Sequence, residues 1–173
     1  MPGGTYLSGE RLALRTVEPE DYAFLQTHWN DPAIRSWVPP GRPFQTDEIA
    51  RWVEEDDGSI HFLACRDDQP VGLVFLFDIQ MERDHGELAY WMVPDEHGAG
   101  YATDAADLAL SVTFEDLGLH KVIARVFEGN DASMRVLEKL GFEREGRLRE
   151  NDYLRGEHKD TVLFGLLAEE WTG

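Results

Sequence analysis

GELAYWMVPDEHGAGYATDA, residues Gly86 to Ala105, reads as a strand, a break, a glycine-rich turn and the opening of a helix. Leu88, Tyr90 and Met92 alternate with Ala89, Trp91 and Val93, aromatic and branched residues that suit a buried strand. Pro94 lacks an N–H and ends that strand. Gly98 and Gly100 let the backbone turn without a side chain in the way. From Tyr101 the pattern is helical, with Ala105, Leu108, Ala109 and Val112 on one face. A helix N-terminus carries unpaired N–H groups and partial positive charge, so this turn is expected to hold a pyrophosphate.

A dinucleotide fold would place a third glycine where Thr103 stands, and an acidic residue at the end of the next strand. Glu115 and Asp116 lie near that distance but fall within the helical pattern, which weakens an oxidoreductase reading. His97-Gly98-Ala99-Gly100-Tyr101-Ala102 instead resembles the acetyl-CoA signature of the GNAT acetyltransferases, [QR]-x-x-G-x-[GA]. Asn130-Asp131-Ala132-Ser133, followed by Val136 to Phe142 (VLEKLGF), resembles the downstream half of the same family. With GELAYW ahead of the turn, the spacing is most similar to the RimJ/RimL-like branch of ribosomal-protein N-terminal acetyltransferases. His97 departs from the family's Gln or Arg, and a modest loss of cofactor contact is expected there.

The resemblance implies an α/β (α+β) fold built on one mixed, mostly antiparallel GNAT-type sheet. It implies helices on both faces and a V-shaped splay between the fourth and fifth predicted strands. It implies acetyl-CoA as cofactor, no metal, and acetyl transfer to a primary amine, a protein N-terminus or a small molecule. Pantetheine is then expected along Trp91, Met92 and Val93, with the Val93 N–H aimed at the thioester carbonyl. The phosphates are expected at His97 to Thr103, with Asn130, Ser133, Arg135 and Lys139 adding cofactor contacts. Ser133 is the expected proton donor to the leaving thiolate. A non-catalytic CoA-binding module is the alternative from another functional class, and retention of Glu87 and Ser133 favours the enzyme.

Acetyl transfer needs a neutral amine, so some group must take its proton. Glu87 shares a strand face with Ala89, Trp91 and Val93, and a half-buried carboxylate there would have a raised pKa. It is the expected general base, with an ion-paired edge carboxylate or proton loss through water as the plain alternatives. Trp37, in a proline-rich stretch, is the expected substrate contact, whereas Trp29 and Trp52 fit a helix-packed core. Cys65 reads as core, and the six histidines show no metal spacing.

A chain of 173 residues is expected to form one domain, residues 1–173. It has no apolar run long enough to span a membrane, no signal-peptide pattern at its N-terminus, and one cysteine. Those features point to the cytoplasm. Asp and Glu total 34 against 16 Lys and Arg, a net charge of −18. Such a surface excludes nucleic acid as a partner, because binding needs a basic face. With Lys121, Lys139 and Lys159 the only lysines, the bias suggests a salt-adapted, halophilic surface. A homodimer is the expected assembly.

The element order read along the chain is βααβββαβαββ. Arg11–Val17 is the predicted first strand, and helices are predicted from Pro19 to Asn30 and, capped by Thr46, to Asp57-Gly58. Ala33 to Gln45, with Pro39-Pro40-Gly41, is a loop or broken short helix. Further strands are predicted at 60–66, 71–79, 121–127, 142–154 and 161–167, with a short helix from Ala132 to Leu140 capped by Asn130.

Overall fold

The computed structural model describes residues 2–38, 43–55 and 58–173. Pro39-Pro40-Gly41 and Asp57 therefore lie outside the described residues. One eight-stranded sheet runs in the order β1-β2-β3-β4-β5-β6-β8-β7. Its strands are β1 (Thr5–Ser8), β2 (Ala13–Thr16), β3 (Ile60–Arg66), β4 (Gln69–Gln80), β5 (His85–Met92), β6 (Lys121–Phe127), β7 (Glu143–Leu154) and β8 (Glu157–Leu167). The helices are α1 (Tyr22–Trp29), α2 (Pro32–Arg35), α3 (Thr46–Glu54), α4 (Tyr101–Ser111) and α5 (Asp131–Lys139).

Every neighbouring pair is antiparallel except β5 and β6. Those two run parallel and pair only over His85–Glu87 against Lys121–Ile123. Beyond Glu87 they part, so the expected splay lies there; the extra N-terminal strand makes them fifth and sixth. That strand escapes the sequence pattern because its four residues are mostly exposed and sit at the sheet edge. The tip of its hairpin with β2 is closed by the Gly9 N–H donating to the Leu12 carbonyl at 2.8 Å.

Alternation along the strands gives each face its own core. On one face, Leu76, Leu88, Val122 and Phe164 pack with Ala105, Ala106, Ala109 and Leu110 of α4 and with Met134 and Leu137 of α5. The three alanines are fully buried, so α4 lies close on the sheet. Leu110, not the predicted Leu108, is its large buried side chain; Leu108 is only partly buried. Truncating Leu110 to Ala would cost about 2–5 kcal/mol. On the other face, Leu63, Cys65, Leu73 and Trp91 pack under Leu25 and Trp29 of α1 and Ile49 of α3.

Local chemistry explains the remaining boundaries. Asp31 caps α2, its carboxylate accepting from the Ala33 N–H at 2.7 Å. The cap of α3 is Gln45, not Thr46, which is the first helical residue; the Glu48 carboxylate accepts from the Gln45 N–H at 3.0 Å. The Thr46 hydroxyl is instead directed to Gln26, at 3.1 Å. After Ser111 the helix widens into a π turn over Val112–Asp116 and stops at Gly118, φ +68°. Among the described residues, no helix is long and apolar enough to cross a membrane.

Candidate active site

Where β5 and β6 part, a cavity of about 1090 Å³ opens. Its wall includes Glu87, Ala89 and Trp91 from one face of β5 and Leu88, Tyr90 and Met92 from the other. A cavity lined by both sets passes through the sheet. One mouth therefore lies against α4 and α5, and the other against α1 and α2.

At the first mouth, Gly98, Gly100, Tyr101, Ala102 and Thr103 line the wall. Gly98 has φ +80° and Gly100 φ +87°, conformations that ordinary side chains disfavour. Gly100 is the N-cap of α4 and has no side chain to cap it. The Thr103 and Asp104 amides turn back to the Gly100 carbonyl at 3.1 and 3.2 Å. The earlier amides of Tyr101 and Ala102 have no carbonyl in their own helix to reach. These exposed donors fit a diphosphate. Ala99 is the one residue of the turn off the wall, and its carbonyl accepts from Arg11 Nη1 at 2.9 Å. Arg11 also pairs with Asp104 at 2.6 Å, and the Tyr101 hydroxyl accepts from Arg66 at 3.1 Å. Arg11 and Arg66 thus brace the turn from outside, a role that nothing in their local sequence signals.

Arg135 and Lys139, four residues apart on α5, are exposed at the same mouth. Asn130 caps α5, its side-chain carbonyl accepting from the Ser133 N–H at 3.3 Å. His97 lines the cavity but its Nε2 lies 2.9 Å from the Met92 carbonyl, which makes that nitrogen the donor and ties the strand end to the turn.

The expectation for Val93 is overturned. Its N–H donates to the Val71 carbonyl at 2.9 Å, inside the sheet. Hydrogen bonding alternates along an antiparallel pair, so Trp91, opposite Leu73, also spends its main chain on β4. Of the three proposed residues only Met92 turns its amide into the splay, together with Tyr90. A one-residue parity error separates the two assignments. Val93 is absent from the wall, and Trp91, which borders it, is largely buried in the α1–α3 core.

Tyr90 is the residue the sequence reading missed. Its hydroxyl lies 3.1 Å from Ser133 Oγ and donates to the Ser133 carbonyl at 3.3 Å. Burial pushes its pKa up to about 12, so it stays protonated at working pH. Its place three residues after Glu87 on the opposite strand face marked it only as core.

Glu87 is 9 % exposed. Burial raises its carboxyl pKa, the Arg125 guanidinium 3.3 Å away partly offsets this, and Asp78 adds to the rise. Trp37 lies on the far wall, with the Arg155 guanidinium 5.5 Å over its ring. Trp29 packs against Trp52 and Phe44 as expected of core, yet it also borders the cavity. Cys65 is buried and its thiol pKa is pushed up to about 11, which keeps it a neutral core group. Among the described residues, no group of three or more His, Cys, Asp or Glu is arranged to hold a metal ion.

A parted parallel pair thus sets an uncapped helix start at one side of a through-sheet cavity and a buried carboxylate at the other. Residues 11–143 match the acetyltransferase (GNAT) domain, and the chain belongs to that family. It is 32 % identical to the SPbeta prophage-derived uncharacterized N-acetyltransferase YokL of Bacillus subtilis, over 96 % of both chains. It is 33 % identical to YdaF of the same organism, over 95 % of each, a protein named provisionally as a ribosomal N-acetyltransferase. The spermidine N-acetyltransferase of Vibrio cholerae, solved with CoA and spermine, superposes with a TM-score of 0.88 at 25 % identity, over 94 % of this chain and 98 % of that one.

Proposed function

We propose that this chain transfers the acetyl group of acetyl-CoA to a primary amine, a peptide N-terminus or a small molecule, by direct attack in a ternary complex. The observation that carries this reading is one cavity crossing the sheet with Glu87 at one end and the bare start of α4 at the other. When bound, acetyl-CoA supplies an acyl carbon whose C–S bond breaks as the N–C bond forms, the sulfur leaving with the electron pair.

The chain's own residues do the rest. The turn from Gly98 to Ala102 binds the diphosphate through main-chain amides, those of Tyr101 and Ala102 foremost, and Arg135 and Lys139 add positive charge. Tyr90 and Met92 offer N–H groups along the splay. Glu87 Oε takes the proton from the acceptor ammonium, helped by a pKa that burial holds above the usual carboxylate range. Ser133 Oγ holds the proton for the departing sulfur, and the buried Tyr90 hydroxyl fixes that Oγ in place. Trp37 borders the acceptor.

YdaF and the RimJ/RimL-like spacing support a peptide N-terminus as acceptor, and the spermidine enzymes support a small amine. The net charge of −18 supports a salt-adapted surface. A single domain, a cytoplasmic location and a homodimer complete the reading. Thiol release from acetyl-CoA over a panel of peptides and small amines tests it. Stoichiometric release on at least one amine is expected. CoA binding without release on any would make the chain a binding module.

A further inference from the structure

The acceptor mouth differs in kind from the phosphate mouth. Cross-strand neighbours on one face of an antiparallel pair lie about 4.5–5.5 Å apart at Cβ. The residue opposite Glu87 on β4 is Phe77, and the next pair on that face is Phe75 with Ala89. Ala89 adds little bulk, so the rings of Phe75 and Phe77 form the floor beside the base. Phe75 and Phe77 lie 5.5 Å apart between ring centres, and Trp29 continues the wall at 6.0 Å from Phe75. Phe44 lies 5.4 Å from Trp29, and all four rings line the cavity.

Carboxylates and guanidinium groups balance in number at this mouth. The carboxylates that line it among the described residues are Glu87 and Asp152. Glu87 faces Arg125, and Asp152 accepts from two neutral donors, the Thr161 hydroxyl and the Asn151 side-chain amide. Arg155 projects at the same mouth, over Trp37 and bonded to Ser36 Oγ. A polyamine brings two or more ammonium groups beyond the one that reacts. Beyond Glu87 the mouth offers these groups one carboxylate, Asp152, and sets Arg125 and Arg155 against them.

We infer that the acceptor is a monoamine bearing an aromatic or bulky apolar group, seated on Phe75, Phe77 and Trp29 with its nitrogen at Glu87, and not a polyamine. This rests on the acetyl-transfer reading of the same site. The chemistry is shared by a free arylalkylamine and by a peptide whose first side chain is apolar. The pull of the protein's overall negative charge on polycations acts on encounter and is screened by salt. The rings and the two guanidinium groups act at contact.

The test is steady-state thiol release from acetyl-CoA by the full chain, with spermidine, 2-phenylethylamine and a phenylalanine-led dipeptide amide as separate acceptors. We expect kcat/KM for 2-phenylethylamine or for the dipeptide to exceed that for spermidine by about tenfold or more. Whichever of the two is better identifies the source. Phe77→Ala should raise KM for the preferred aromatic acceptor about tenfold with a much smaller change in kcat. Arg155 is exposed, so Arg155→Glu should fold normally and should raise kcat/KM for spermidine several-fold. Spermidine as the preferred acceptor of the unmodified chain, or an Arg155→Glu chain with no gain on spermidine, would overturn the inference while leaving acetyl transfer standing. Turnover on no amine would overturn the acetyl-transfer reading, and this inference with it.

Discussion

Replacing Glu87 by Gln keeps the side chain's size and removes its ability to ionise. The site dictates opposite signs for stability and activity. Glu87 is 9 % exposed, and its pKa is raised even with Arg125 at 3.3 Å. The folded protein therefore binds the Glu87 proton more tightly than the unfolded chain does. Stability from this group is fully present below the unfolded-state pKa and is lost as pH rises through the higher folded-state pKa. At neutral pH the buried carboxylate costs stability, and Arg125, 54 % exposed, returns at most about 1 kcal/mol as a screened pair. Glu87→Gln should thus melt no lower than the parent at pH 7, and the difference should shrink towards pH 4. Loss of a general base should lower kcat/KM by about 10²–10⁴-fold. The parent's rate should climb with pH through an apparent pKa above the usual carboxylate range, and that limb should vanish in the variant. Paired pH–rate profiles and pH-dependent melts measure both. Full turnover in Glu87→Gln would remove it as the base, and a large loss of stability at pH 7 would make it a structural ion pair.

Further expectations concern the other mouth. Ser133→Ala should lower kcat by about 10²-fold, and Tyr90→Phe should lower it less with KM unchanged, since it frees Ser133 Oγ without removing it; unaltered kcat in Ser133→Ala would dismiss the hydroxyl. Gly98→Ala and Gly100→Ala each force a side chain into a left-handed conformation at about 1–2 kcal/mol. A Cβ on Gly98 meets nothing within 4 Å, whereas one on Gly100 comes to 3.0 Å from Arg11 Nη2. Calorimetry should therefore find CoA affinity lowered in both and stability lowered more in Gly100→Ala, unless Arg11 swings clear. Thermal unfolding should shift upward between low and molar KCl, where the screening length falls to about 3 Å; a flat profile would count against salt adaptation.

The parts of the fold written in local chemistry were legible. The strands at 60–66 and 121–127 have the predicted bounds, Asn130 caps α5, and Gly98 and Gly100 adopt the conformations glycine permits. What sequence could not resolve depended on partners distant in the chain. Which amides of β5 face the splay is fixed by its register with β4, and Val93 is committed to a carbonyl 22 positions earlier, that of Val71. The pairing of Tyr90 with Ser133 spans 43 positions, and the Arg155–Ser36 contact spans 119. Neither leaves a mark in any short window. The same is true of the aromatic floor: Phe75 and Phe77 belong to an ordinary strand pattern until β5 sets Glu87 beside them.

Calorimetric titration of the full chain with CoA and, separately, with pantetheine measures what the 3′-phosphoadenosine part and its diphosphate add to binding. If the amides opening α4 grip the diphosphate, CoA should bind saturably and pantetheine weaker by about two orders of magnitude or more, a difference of about 2.7 kcal/mol. Equal affinity for the two, or no heat from CoA at any salt concentration, would contradict the account at its root.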